Sequence, residues 1–258
     1  MKKILFTGAR SGIASSVIEK LLSDDFYIYV TVHTFEEEKS VKDKYLGYKN
    51  VECFKLDVTN KSDREKLKGL DIDIVVLNAA VGYGGSLIEI PINRVRENYE
   101  VNVFSNLEII QIISSNMIKK KNGKIIIMSS IAGIMPIEFL GSYCSSKSSL
   151  IMIAKILRRE FSLLDCDIKI KLIEPGVYKT GFNEVMLENK DLSSSHFEKL
   201  QDKIKFKEYI LFDLMGKSDL DSISKKIINA IKSDSNRFIY SAPTSQKVFV
   251  KLYQMFFG

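Results

Sequence analysis

The chain has 258 residues, 45% hydrophobic and 27% charged, a balance expected of a globular protein large enough for one α/β domain. No run approaches the ~18 apolar residues of a membrane span, and the start MKKILF breaks at Thr7-Gly8-Ala9-Arg10, too early for a secretion signal. The formal charge of +6 comes from lysines interleaved with acids and no recognition module accompanies it, so nucleic-acid binding is not expected.

In chain order, KILF reads as a strand, followed by a glycine turn and a helix over about 12–22. YIYVTV, a charged helix, VECFKL, a short helix and IDIVVL come next. A long helix is expected over about 92–119, with Val95, Tyr99, Val103, Leu107 and Ile110 at helical spacing. The basic run IKKKNGK at 118–124 falls at its end, where cations offset the helix dipole. KIIIMS, a helix carrying Tyr143, and IKIKLIEP complete the pattern.

Strands apolar on both faces and separated by helices mean a parallel sheet covered on each side, a doubly wound α/β fold of about seven strands. Nothing in residues 1–258 reads as a linker, so one domain is expected. Residues 181–216 carry no strand signal and read as a substrate lid. The segment 244–258 places Lys247, Lys251 and Gln254 on one helical stripe and apolar residues on most of the rest. A subunit or core contact is the expectation there, with a membrane-surface anchor as the alternative.

Chemistry enters at ILFTGARSGIA. A strand runs into Gly8, and Gly12 opens a helix, with Arg10, Ser11 and Ile13 in the same loop. Unpaired N–H groups at a helix start, reached by backbone that lacks a Cβ, suit a diphosphate. The second signal is Tyr143 and Lys147 in GSYCSSK, one helical turn apart. Tyr45 and Lys49 repeat that spacing, but no serine segment precedes them. Cys53, Cys144 and Cys166 show no CxxC pattern, and His33 and His196 stand alone, so neither a disulfide framework nor a metal site is expected. A reducing cytoplasm is.

These motifs together resemble the short-chain dehydrogenase/reductase family, in its compact single-domain Rossmann branch, over roughly the first 180 residues. TGARSGIA resembles the family's cofactor loop, although Ala14 stands where a third glycine is usual. LDV offers Asp57 and Val58 for the adenine end, and LNAAVG offers Asn78 and Ala79, with Ala80 in place of a usual glycine. VNVF supplies Asn102, MSSIAG Ser130, and YCSSK Tyr143 and Lys147; EPGVYKT supplies Pro175, Gly176, Val177 and Thr180. Ser130 and Tyr143 lie 13 residues apart, as in the family.

The resemblance implies hydride transfer between a nicotinamide and a carbonyl carbon. Tyr143 would be the general acid/base, Ser130 would steady the oxygen, and Lys147 would hold ribose and acidify the phenol. Asn102 would hold a water that relays protons. Gly176 would leave room for the nicotinamide, and Thr180 would bond its carboxamide.

The second strand ends at His33 and Thr34 with no acid at its tip, and Arg10 can reach a 2′-phosphate, so NADP(H) is expected over NAD(H). Ile134, Met135, Ile137, Phe139, Phe182, Met186 and Leu187 would line a pocket for an apolar substrate. The family also implies a homodimer or homotetramer through the helices near 92–119 and 142–164. The rival readings are a sugar-nucleotide-modifying enzyme and a non-catalytic NADP-binding sensor on the same fold.

Overall fold

A computed structural model describes residues 1–188, 190 and 195–257. Seven strands form one parallel sheet in the order β3-β2-β1-β4-β5-β6-β7. They are β1 (Lys2–Phe6), β2 (Phe26–Val32), β3 (Val51–Lys55), β4 (Ile74–Leu77), β5 (Asn122–Met128), β6 (Asp167–Pro175) and β7 (Ile239–Ala242). The helices between them are α1 (Gly12–Leu21), α2 (Phe35–Lys44), α3 (Lys61–Glu65), α4 (Ile92–Tyr99), α5 (Ser105–Lys120) and α6 (Gly141–Ser162). Beyond β6 come α7 (Phe182–Glu188), α8 (Gln201–Glu208), α9 (Asp221–Lys232) and α10 (Thr244–Phe257).

The sheet explains why its strands read as unbroken apolar runs. Ile4 and Phe6 of β1, Ile74 and Val76 of β4, and Ile126 of β5 join one core, with Val17 and Ile18 of α1 and Ile223 and Ile227 of α9. The alternate residues Leu5, Val75, Leu77, Ile125 and Ile127 face the other way, onto Ile109 and Ile113 of α5 and Leu150 and Ala154 of α6. Period-2 alternation thus feeds two hydrophobic layers, not one layer and solvent.

The chain winds outward from β1 to β2 and β3 on one side and from β4 to β7 on the other. That reversal opens a crevice beyond the carboxyl ends of β1 and β4. The helix expected over 92–119 is a continuous helical stretch from Ile92 to Lys120, interrupted by a π-helical segment at Glu100–Phe104. It ends at Lys121 in the left-handed conformation, and Lys120 lies 2.7 and 2.6 Å from Asp71 and Asp73. The basic run is therefore a helix end tied to acids. Tyr45 is packed into the core beside Val41 and Cys53, away from the crevice.

Among the described residues of 181–216, α7, α8 and a π-helical segment at Tyr209–Leu214 form a helical cover. Residues 189 and 191–194 lie outside the description. The cover touches the rest at several points: Gly84 N donates to Met186 O at 2.9 Å, and the rings of Phe139 and Phe197 meet edge to face at 5.1 Å. No helix among the described residues is long and apolar enough to cross a membrane.

Candidate active site

At the carboxyl end of β1 the chain turns at Gly8, whose φ is +61°. A Cβ there would sit 2.7 Å from Ala79 Cα, so both conformation and space demand glycine. Thr7 Oγ1 accepts the N–H groups of Asn78 and Ala79, each at 3.0 Å. Asn78 Nδ2 donates back to the carbonyls of Thr7 and Gly8 at 3.1 and 2.8 Å. The end of β4 is thereby laced to the glycine turn. Gly12, with φ +64°, opens α1; Ser11 makes no side-chain capping bond and the first turn carries no acid. The first N–H groups of α1 have no intrahelical acceptor and carry the positive end of the dipole. A diphosphate fits this cradle.

Opposite it, two residues beyond β5, stands Ser130, whose Oγ accepts Ala132 N at 3.1 Å and so caps a 3-10 turn at Ile131–Gly133. Ser130 faces Tyr143, near the start of α6, across the same cavity wall. One turn on, Lys147 Nζ donates to Met128 O at 3.0 Å and lies 5.6 Å from the Tyr143 ring centroid. Ser129 Oγ fixes this part of α6 by donating to Lys147 O at 2.9 Å.

Burial dominates the electrostatics. It pushes the Tyr143 phenol above its usual range, with the nearby Ser130 hydroxyl acting in the opposite direction. Burial also lowers the Lys147 ammonium to about 8. An acidified phenol is the expectation with the oxidised cofactor bound; in the protein alone desolvation sets the direction, and the Lys147 ammonium faces the Met128 carbonyl.

A cavity of about 700 Å³ joins the two halves. Gly8, Arg10, Ser11, Gly12 and Ile13 line it, as do His33, Asp57, Val58, Asn78 and Ala79. Ser130, Tyr143 and Lys147 line it from the sheet end, and Pro175, Gly176, Val177 and Thr180 from the loop after β6. Asp57 Oδ1 is already held by the N–H and hydroxyl of Thr59, at 2.9 and 2.8 Å.

Two candidate residues stand off the cavity. Thr34 caps α2 by accepting Glu37 N at 3.2 Å. Asn102 is fully buried in the π-helical segment. Its amide exchanges 2.9 Å hydrogen bonds with the Val81 backbone in both directions and donates to Ser146 Oγ at 3.0 Å. That ties α6 to the strand extension, and no hydrogen bond joins Asn102 to Lys147 among the described residues.

Two further expectations need correction. An acid does stand at the tip of β2: Glu37 lines the cavity, its Oε2 accepting His33 N at 2.9 Å and its Oε1 accepting Arg10 Nη1 at 2.8 Å. It arrives from the first turn of α2, one helical turn beyond the strand end. Gly176 lines the cavity, and a Cβ there would collide with Gln246 Oε1 and Pro243. Gln246 itself accepts Val177 N at 2.7 Å. Of the expected apolar lining, Ile137, Phe182 and Met186 face the cavity; Ile134, Met135 and Leu187 pack behind in the same cluster, and Phe139 pairs with Phe197. The sequence reading lacked Leu140 and Phe212, which also line it; nothing in their spacing marks them.

Residues 2–191 match the family described as short chain dehydrogenase. An NADPH-dependent 3-dehydrocapnine reductase of Ornithobacterium rhinotracheale is 32% identical over 190 residues, covering 70% of this chain and 66% of that protein. A diacetyl reductase [(S)-acetoin forming] of Staphylococcus epidermidis is 33% identical over 190 residues, covering 69% and 72%. A short-chain dehydrogenase/reductase of Burkholderia phymatum in complex with NAD superposes with a TM-score of 0.82 at 19% identity, covering 98% of this chain and 93% of that one. With the seven-stranded doubly wound sheet and its glycine-turned crevice, these matches make the chain a member of the short-chain dehydrogenase/reductase family of oxidoreductases.

Proposed function

We propose that the protein is an NADP(H)-dependent carbonyl reductase, or alcohol dehydrogenase in the reverse direction, acting on an apolar substrate. The observation that carries this reading is the meeting of Ser130, Tyr143 and Lys147 on one cavity wall, facing the Gly8–Gly12 cradle. When bound there, a nicotinamide dinucleotide supplies or accepts the hydride. Gly8, Ser11, Gly12 and Ile13 would hold its diphosphate, and Asp57, Val58 and Asn78 its adenosine side. Pro175, Val177 and Thr180 would hold the nicotinamide end, and Lys147 the ribose.

Tyr143 Oη moves the proton to or from the substrate oxygen. Its neutral phenol, favoured by burial, is the form that a carbonyl reduction consumes. Ser130 donates to the same oxygen and stabilises charge that develops on it. Asn102 is a positioning residue, holding α6 through Ser146. Ile131, Ile137, Leu140, Phe182, Met186 and Phe212 give the substrate end an apolar wall, which favours an alkyl or acyl ketone over a free sugar. The helices over 182–214 act as the lid. The three cysteines are free, in keeping with a cytoplasmic site of action. A substrate panel read by NADPH absorbance tests the class: turnover of a hydrophilic sugar with none of an alkyl ketone would refute it.

The NADP(H) preference draws support from Arg10 in the loop and from the NADPH-dependent relative. Glu37 works against it, because its carboxylate neutralises Arg10 and could itself accept a ribose 2′-OH. Arg10→Ala should lower kcat/KM for NADPH by about ten- to a hundredfold while leaving NADH nearly unchanged. Glu37→Gln should raise the NADPH:NADH ratio of kcat/KM by roughly two- to fivefold, the range of a solvent-screened pair. Equal efficiency with both cofactors in the unaltered enzyme would overturn the preference.

The glycine turn offers a separate check. Gly8→Ala forces a Cβ against Ala79 at a positive φ, and should abolish dinucleotide binding or cost about 2 kcal/mol or more of stability. A fully stable variant with unchanged NADPH affinity would remove Gly8 from the cradle.

A further inference from the structure

The last helix shows solvent the wrong face. In α10, Gln246 and Val250 turn inward, Gln246 to Val177 N and Met215 O, and Val250 to the apolar cluster of Ile131, Met186 and Phe212. At ~100° per residue, Met255, Val248, Leu252, Phe256 and Phe249 then follow one another around about 120° of the remaining surface. All five are exposed, Met255 and Phe256 by 69% and 70%. A surface helix ordinarily presents polar residues there. Lys251 borders the arc along one edge, half-buried Lys247 follows further round toward the inward face, and the helix contains no Asp or Glu. Neither lysine is ion-paired among the described residues.

We propose that α10 docks this protein on the surface of an anionic phospholipid bilayer. The apolar arc would sink to the acyl boundary, while the two ammonium groups reach up to lipid phosphates on their flexible stems. The chain's charge of +6 draws it toward the same surface. Charge also decides against a second copy as the occupant. Two α10 helices face to face would bring four lysines to the seam with no carboxylate on either helix to meet them. The inference rests on α10 alone and stands or falls separately from the reaction assigned above.

The test is co-sedimentation of the full chain with vesicles of phosphatidylcholine, with and without phosphatidylglycerol. Binding is expected to the mixed vesicles and to weaken with added salt. Lys247→Glu with Lys251→Glu should reduce it by roughly tenfold or more. Leu252→Glu with Phe256→Glu should remove it, with turnover of a small soluble ketone or, failing any turnover, NADPH binding retained to show the fold intact. The chain has no tryptophan, so Phe256→Trp would report insertion directly, as a blue shift on mixed vesicles. Equal binding to both vesicle types, or no binding to either, overturns the proposal. So does a native oligomer that falls apart with Leu252→Glu, which would assign the arc to a second copy.

Discussion

Tyr143→Phe should cut turnover by about a thousandfold, within the 10²–10⁴ range of a lost general acid, and leave NADPH affinity within roughly threefold. The change removes one oxygen from a ring that otherwise stays packed against Phe182, 5.6 Å between centroids, so the cavity keeps its shape. Ser130 keeps Ala132 N as a partner, and the β5 turn stays capped. Turnover and fluorescence titration with NADPH on the same preparation separate the two effects. A non-catalytic sensor would keep its function, because a phenol hydroxyl is no part of dinucleotide binding at the cradle. Retention of more than a tenth of the activity would take the proton away from Tyr143.

Lys147→Met should also abolish most turnover, yet raise the thermal stability of the cofactor-free protein near pH 7. The sign follows from the ammonium's depressed pKa, about 8 in the fold against an ordinary 10.5. Below pH 8 the folded chain carries a charge that burial disfavours. Between 8 and 10.5 it releases that proton before the unfolded chain does, and the penalty shrinks. Removing the charge should therefore stabilise by on the order of 2 kcal/mol at pH 7, after allowing for the lost bond to Met128 O. That is roughly 5 °C in Tm for a chain of this size. The advantage should fade as pH rises from 8 toward 10.5. A drop in Tm at pH 7, or a gain independent of pH, would show that Lys147 is not held as a costly buried cation. Added NADPH should stabilise the lysine protein more than the methionine variant, since the ammonium then gains a ribose to bond.

Local signals were legible where the chemistry is local. Gly8 and Gly12 adjoin a strand end, and Tyr143 and Lys147 share a helix face behind a serine segment that Tyr45 and Lys49 lack, so local context placed them. Strands alternating between two buried layers wrote themselves as apolar runs. β7 escaped because four residues beside a polar loop give periodicity little to act on. The π-helical segment escaped because one inserted residue leaves the helical pattern on either side intact. Glu37 sits in the first turn of α2, where an acid suits the helix dipole, and that setting hides its second contact. Its link to Arg10 spans 27 residues and exists only because β1 and β2 are neighbours. The burial that raises the Tyr143 phenol in the protein alone was not legible for a related reason: spacing shows that a cation is near, and burial is a property of the assembled fold.

Gln246 gives the end of the chain a role that trimming would expose. One side-chain amide accepts from Val177 and donates to Met215, and its oxygen occupies the space that Gly176 leaves vacant. Cutting away residues 244–257 would thus unroof the loop after β6 and strand two backbone groups at once. For anyone preparing this enzyme, a shortened form cannot serve as a neutral stand-in for the whole, because it loses both this glutamine and the Val250 contact beneath the cavity.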